Sequence, residues 1–346
     1  MSRYDLSREE LAGLLSDEPA YRVDQIWDGM YRRFANPAEL SELPRPLRVR
    51  LGSMAEMSPA FSLADEAISD RGLTLKWLLA AGDGNHVETV LMGYHDRVTI
   101  CVSSQAGCAM GCGFCATGQS GYFRQLSSGE ITEQVVRGAR FAADHGWGRL
   151  GNVVLMGMGE PLANYANVRA AIARWNDDLK IGARSITVST VGIVPGIRKL
   201  TADPIQVNLA VSLHAANDEL RSELVPINRR YPLAVLMDAC TAYVRRTHRR
   251  LSFEWACIAG VNDRPSDSKE LAELALPLGA HVNLIPLNPT PGYLVAGSTS
   301  QAVAAFRDEL SSYGVNVTIR NTRGRDVNGA CGQLAGSALA MSQRRA

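Results

Sequence analysis

Two hydrophobic periods divide this chain. Up to about residue 60 apolar positions recur every three or four residues, and Val23, Ile26, Trp27, Met30, Tyr31 and Phe34 fall on one helical face. Ahead of that face, Ser7 and Glu10 have capping-box spacing before Leu11, Leu14 and Leu15. Pro44 and Pro46 punctuate the pattern, and a third short helix is expected up to Met57. From about residue 73 the period shortens to that of strands. Segments 73–79 and 87–92 flank Gly82-Asp83-Gly84 and predict a hairpin. Strand-like runs follow at 98–102, 152–156, 185–189, 207–212, 251–255, 282–285 and 315–320, with helical patterns such as 130–143 and 233–246 between most of them.

Repeated strand–helix alternation predicts an α/β fold of parallel strands joined by right-handed crossovers. Six such units make an open or complete barrel, whose chemistry gathers at the carboxyl ends of the strands. Segment 58–72 reads as the one long linker. The expected organisation is therefore a helical accessory domain over 1–72 and a core over 73–346.

The loops expected at the strand ends are polar and rich in glycine. Gly157-Met158-Gly159-Glu160-Pro161 follows the second core strand and Ser189-Thr190-Val191-Gly192 the third. Ser212-Leu213-His214 ends the fourth, and Pro286-Leu287-Asn288-Pro289 follows the sixth. Gly157-x-Gly159 is not a dinucleotide fingerprint, because Leu162 stands at the third glycine position. Each of these residues has an ordinary structural role open to it, as a helix cap, a core histidine or a turn asparagine.

After the first core strand comes Cys108-Ala-Met-Gly-Cys112-Gly-Phe-Cys115. A four-iron cluster normally takes four protein ligands, so three thiolates leave one iron open. An open metal position is where chemistry occurs. An open iron can chelate the amino and carboxylate groups of S-adenosylmethionine (SAM) and pass an electron to its sulfonium. The competing readings are a structural zinc site and buried core thiols. Zinc wants a fourth ligand, and no second cysteine pair or His-x3-His lies nearby. The loop is also Gly-rich and short of aliphatic residues, unlike a core segment.

Composition adds bounds. Hydrophobic content of 46% and charged content of 21% suit a soluble enzyme. A net charge of +1 carries no global polyanion signature, so a nucleic-acid partner must be held by local patches. No run approaches a membrane span, and the N-terminus lacks an apolar signal core. Seven cysteines, an odd number, point to a reducing cytoplasm.

The chain resembles radical-SAM enzymes, and more closely the RlmN family of dual-specificity RNA adenine methyltransferases. The similarity runs from the helical N-terminal unit to Gly336. It is carried by Cys-Val-Ser-Ser-Gln-Ala-Gly-Cys at 101–108, the cysteine loop, Met-Gly-Met-Gly-Glu-Pro-Leu at 156–162 and Ser-Leu-His-Ala at 212–215. Val-Pro-Ile-Asn at 225–228, Val-Asn-Leu-Ile-Pro at 282–286 and Ala-Cys-Gly-Gln-Leu-Ala-Gly at 330–336 complete it.

This resemblance implies a partial (β/α)6 TIM-like radical-SAM barrel with an N-terminal helical domain and a β-hairpin extension. It implies one [4Fe-4S] cluster on Cys108, Cys112 and Cys115, and SAM contacts at Gly159, Glu160, Ser189, Ser212, Leu213, His214 and Asn288. It also gives two further cysteines a role. One SAM methylates Cys331, and a 5′-deoxyadenosyl radical from a second SAM takes hydrogen from that S-methyl group. The thiomethylene radical adds to adenine C2, a base removes the ring proton, and Cys101 attacks the Cys331 sulfur to leave a disulfide. Glu88 matches the family's proposed base, although in isolation it reads as a solvent-facing strand carboxylate. Cys240 and Cys257 have no such match and read as packing residues.

The implied partners are 23S rRNA, tRNA and an electron donor such as flavodoxin or ferredoxin, with no membrane. For RNA, basic clusters stand at Arg229-Arg230, Arg245-Arg246 with Arg249-Arg250, and Arg320, Arg323 and Arg325. Solvated helix faces are the other explanation for such clusters. The N-terminal unit is slightly acidic, with eight Arg against ten Asp or Glu in residues 1–60, and is as consistent with packing as with RNA contact. Two rival functions remain: a related adenine-C8 rRNA methyltransferase giving antibiotic resistance, and a non-catalytic, metal-stabilised RNA-binding protein.

Overall fold

The computed structural model describes residues 2–320, 323–324 and 327–335; Arg325 and Gly336 lie outside them. Three helices open the chain: α1 (Arg8–Leu14), α2 (Tyr21–Tyr31) and α3 (Arg45–Ser53). The Ser7–Glu10 capping box is present, with Ser7 Oγ accepting from Glu10 N at 3.1 Å. Ile26, Trp27, Met30 and Tyr31 are buried against Leu11, Leu40, Leu47 and Leu51, while Val23 and Phe34 are only partly buried. The helical unit docks through polar groups. Asp5 Oδ1 accepts from Gly129 N at 2.6 Å, and Ser2 Oγ donates to Glu133 Oε2 at 2.9 Å.

Twelve strands follow among the described residues. Segment 58–72, expected as a linker, contains strand β1 (Phe61–Ser69) instead. It pairs antiparallel with β2 (Thr74–Ala81), which pairs with β3 (His86–Gly93) across the expected Gly82–Gly84 turn. β3 then pairs antiparallel with β4 (Val98–Cys101), the first core strand. A small two-stranded ribbon, β5 (Gln105–Gly107) with β6 (Tyr122–Gln125), closes the cysteine loop.

The core is parallel: β4, β7 (Leu150–Leu155), β8 (Ile186–Thr190), β9 (Asn208–Ser212), β10 (Leu251–Cys257), β11 (His281–Pro286) and β12 (Val317–Ile319) are hydrogen-bonded in that order. The helices between them are α4 (Ala116–Gln119), α5 (Ser128–Asp144), α6 (Tyr165–Asp177), α7 (Val194–Ala202), α8 (Asp218–Leu224), α9 (Leu233–Thr247), α10 (Pro265–Ala275) and α11 (Ser300–Ser312). Six strand–helix units are thus present, with β12 as a seventh parallel strand. Every residue of β10 is buried, as expected for a strand covered on both faces.

The sheet remains open because the antiparallel hairpin occupies the edge of β4. It is nonetheless strongly curled. Arg320 Nη1, just past β12, lies 3.5 Å from Met156 Sδ, just past β7. Five strand spacings in a flat sheet would put those strands roughly 24 Å apart. No helix among the described residues is long and apolar enough to cross a membrane.

Candidate active site

The strand-end loops meet over one cavity inside the curl. It is lined by Cys108, Cys112 and Cys115, by Gly159 and Glu160, by Ser189, Ser212 and His214, and by Asn288 and Cys331. Leu213, Cys101 and Glu88 stand outside this lining. Leu213 is fully buried in the core, its N–H bonded to Glu254 O at 3.0 Å, so its side chain faces away from the cavity. Cys101 ends β4 with 8% exposure, and Glu88 on β3 has 5%.

Local bonding shapes the cysteine loop. Cys108 N donates to Gly121 O at 2.8 Å, and Cys115 is the N-cap of α4. A Cβ on Gly118 would fall 2.8 Å from Cys112 O, which explains the glycine in the helical turn beneath the loop. The three thiols line one cavity, and they supply the donor set a four-iron cluster takes, one thiolate per iron.

The block between β4 and the cysteines grips the neighbouring loop. Ser103 Oγ accepts from Met158 N at 2.9 Å, and Gln105 Oε1 accepts from Glu160 N at 2.7 Å. Gly159 has φ +99, and a Cβ there would stand 2.5 Å from Gln105 Cβ, so the loop needs glycine on both counts. Glu160 is 2% exposed; its Oε1 accepts from Leu162 N at 3.0 Å and its Oε2 from Val191 N at 2.8 Å. Burial nevertheless pushes its carboxyl up to about 7. An ammonium arriving in the cavity would draw it back to the carboxylate.

The segment bearing Cys331 is tied across the cysteine loop. Gly332 O accepts from Ala116 N at 2.7 Å, Leu334 O accepts from Thr117 Oγ1, and Cys331 O accepts from Asn288 Nδ2 at 3.0 Å. Ala335 N donates to Glu88 Oε2 at 2.7 Å, and Lys76 Nζ lies 2.9 Å from Glu88 Oε1. Glu88 therefore does not face solvent as its strand position alone implied, because this segment covers it. Burial pushes the Cys101 thiol up to about 12, and the Cys331 sulfur is in electrostatic range of it. The expected disulfide is not a standing bond of the fold: all seven cysteines are free. Cys240 and Cys257 are fully buried packing residues, as expected.

Comparison with known proteins agrees with this geometry. Residues 102–274 match the Radical SAM superfamily. A probable dual-specificity RNA methyltransferase RlmN of Thermobifida fusca is 49% identical over 339 residues, covering 95% of this chain and 92% of that protein. The chain belongs to the RlmN family. A dual-specificity RNA methyltransferase RlmN 1 of Myxococcus xanthus is 46% identical, covering 99% of this chain and 96% of its own. The crystal structure of a radical SAM methyltransferase from Sphaerobacter thermophilus superposes with a TM-score of 0.93 at 45% identity, over 97% of this chain and 99% of that one. The protein is therefore an enzyme, a radical-SAM methyltransferase, and its RlmN-type fold implies SAM and a [4Fe-4S] cluster as cofactors.

Three features of this RlmN-family site were not read from the sequence. Arg221 on α8 is fully buried and donates to backbone oxygens of Val191, Ser212 and Leu213 and to Asn228 Oδ1. Glu254 on β10 and Arg320 beyond β12 both line the cavity, with Arg320 Nη1 3.7 Å from Glu254 Oε2. Arg320 belongs to a basic cluster that the sequence offers to RNA, whereas the structure places it in the cavity lining. Of the other basic candidates, Arg245 and Arg246 occupy the last turn of α9, where a positive charge favours the helix end.

His214 is held neutral. It has φ +61, its Nδ1 accepts from Ala256 N at 3.0 Å, and Phe114 packs edge-on at 4.8 Å. That leaves Nε2 carrying the proton as a donor. Burial lowers its pKa from 6.5 to about 3. The unfolded chain then binds a proton the fold refuses, so stability is full above pH 6.5 and falls as pH drops toward 3. Denaturant titrations should show the wild type losing roughly 2 kcal/mol more than His214→Gln between pH 7 and pH 5. Equal losses in the two proteins would show that this histidine is not held neutral.

Proposed function

We propose that the enzyme methylates C2 of an adenosine in 23S rRNA and of an anticodon-loop adenosine in tRNAs, through a Cys331 methyl intermediate. The carrying observation is that Cys331 shares one cavity with the three cluster thiols and the Gly159–Glu160 loop. Relatives at 46–49% identity bear the name dual-specificity RNA methyltransferase RlmN, which supports RNA as the substrate. The reduced cluster supplies, when bound, the electron that splits SAM to a 5′-deoxyadenosyl radical.

In this reading Gly159, Glu160, Ser189, the Ser212–His214 turn and Asn288 hold SAM, Leu213 through its backbone alone. Glu160 meets the methionine ammonium. Cys331 takes a methyl group from one SAM. After hydrogen abstraction its methylene carbon bonds to adenine C2, and Glu88 accepts the ring proton. Cys101, as thiolate, bonds to the Cys331 sulfur while the sulfur–carbon bond breaks toward carbon. The carbon takes up a proton and becomes the product methyl, one electron leaves to a one-electron acceptor, and a thiol reductant reopens the disulfide. Covalent catalysis is needed because C2 is electrophilic and offers no nucleophile to a methyl cation. The target base must leave its stack to reach Cys331. A flavodoxin or ferredoxin is the proposed donor and the cytoplasm the proposed compartment.

Anaerobically reconstituted enzyme, SAM, a reductant and rRNA fragments should yield 2-methyladenosine on nucleoside analysis. Cys331→Ala should yield none. Appearance of 8-methyladenosine would move the protein to the C8 reaction, and unaltered 2-methyladenosine formation by Cys331→Ala would remove the covalent route.

A further inference from the structure

The cycle proposed above uses two cysteines as nucleophiles, and a thiolate, not a thiol, is the attacking species. Burial works against this at Cys101, so a positive charge is needed close to both sulfurs. One cation fits. Arg320 directly follows β12, with its backbone N–H on Leu284 O at 2.8 Å, and its side chain lines the same cavity as Cys331. The Cys331 and Cys101 sulfurs raise the guanidinium's pKa electrostatically.

The surrounding groups fix where that charge points. Glu254 Oε1 accepts from Ser252 Oγ at 3.1 Å and from Asn283 Nδ2 at 2.8 Å. Its other oxygen, Oε2, is buried with no hydrogen bond and stands 3.7 Å from Arg320 Nη1. The Met156 sulfur lies 3.5 Å from the same nitrogen. Tyr94 is a further titratable group facing Arg320, and Arg323 stacks 4.2 Å above its ring. Among the described residues Glu254 is thus the one carboxylate in this ring of partners, and it competes with the sulfurs for the guanidinium.

We propose that Arg320 is a positioning residue for the sulfur chemistry: held by Glu254, it supplies the charge that lets Cys331 and Cys101 react as thiolates. In the first step the Cys331 proton goes to solvent, the sulfur–methyl bond forms, and the SAM carbon–sulfur bond breaks with its electron pair on the departing thioether. In the last, the same charge favours the Cys101 thiolate as it bonds to Cys331. This inference rests on Cys331 being the methyl acceptor.

The test is alkylation of Cys331 by iodoacetamide in cluster-loaded, SAM-free enzyme under anaerobic conditions, followed by peptide mass spectrometry from pH 6 to 11. Arg320→Met should raise the midpoint of the alkylation profile by a pH unit or more and slow Cys331 S-methylation at pH 7 at least tenfold. Arg320→Lys should recover most of the midpoint. Glu254→Gln should move it the opposite way, which a merely structural role would not do, and this arm stands even if Arg320→Met does not fold. An unmoved midpoint in Arg320→Met, or the absence of a downward shift in Glu254→Gln, overturns the proposal. Failure of the wild type to S-methylate Cys331 at all would instead sink the reading on which it rests.

Discussion

Replacing Cys101 by alanine is expected to leave the enzyme covalently bonded to its RNA. Cys101 ends β4, paired to Val90 on one side and Val154 on the other, so its sulfur is fixed by two neighbouring strands beneath the Cys331 segment. In the proposed cycle it performs one act, cleavage of the sulfur–methylene bond. Hydrogen abstraction and carbon–carbon bond formation precede that act and need only Cys331. The variant should therefore complete half a cycle and stop. Removing a covalent-cycle nucleophile costs roughly a thousandfold or more in turnover. Loss of one buried sulfur costs about 1 kcal/mol of stability, far too little to explain such a drop by unfolding. Denaturing gels should show a nuclease-sensitive shift of the protein band, and peptide mass spectrometry should find an adenosine joined to Cys331 through one carbon. Free 2-methyladenosine at the wild-type rate, without a shifted band, would assign Cys101 to packing.

The contrast between Cys101 and Arg320 shows what a chain of letters conveys about such a site. The cysteine loop was legible because three ligands within eight residues constrain one another locally. The parallel strands were legible because buried strands such as β10 are apolar or small at every position except Glu254. β1 was missed for the opposite reason. It is an edge strand whose middle, including Ser62, Asp65 and Glu66, is exposed, so its pairing rests on backbone bonds that leave no hydrophobic mark. Glu88 looked solvent-facing because nothing in its own strand foretells that residues almost 250 positions later will cover it. Arg320 and Met156 became neighbours only when the sheet curled. Pairings made by curvature carry no sequence spacing, and they are where reading the chain ran out.

Arg221 carries the same lesson into stability, and its replacement should be the most damaging change outside the sulfur chemistry. Its guanidinium donates to Val191 O at 2.7 Å, to Asn228 Oδ1 at 2.7 Å, and to Leu213 O and Ser212 O at 3.2 Å each. Those oxygens belong to the turns after β8 and β9 and to the Pro226–Arg229 turn, so one side chain ties three loops together under the cavity floor. Arg221→Met fills the space while removing the donor from four acceptors, two of them buried and two partly buried. Each orphaned group costs about 1–3 kcal/mol, but local relaxation shares the loss, and breaking a buried charge network typically costs about 3–5 kcal/mol in all. For a chain of this size that corresponds to a fall of roughly 5 °C in the thermal midpoint. Arg221→Lys should recover less than half, because a single ammonium cannot reach acceptors lying in three directions. Binding of SAM, followed calorimetrically on the cluster-loaded variant, should weaken alongside, since Ser212 and His214 lose the support of their own backbone. A midpoint within 2 °C of wild type would mean that water replaces the guanidinium and that the three loops hold without it.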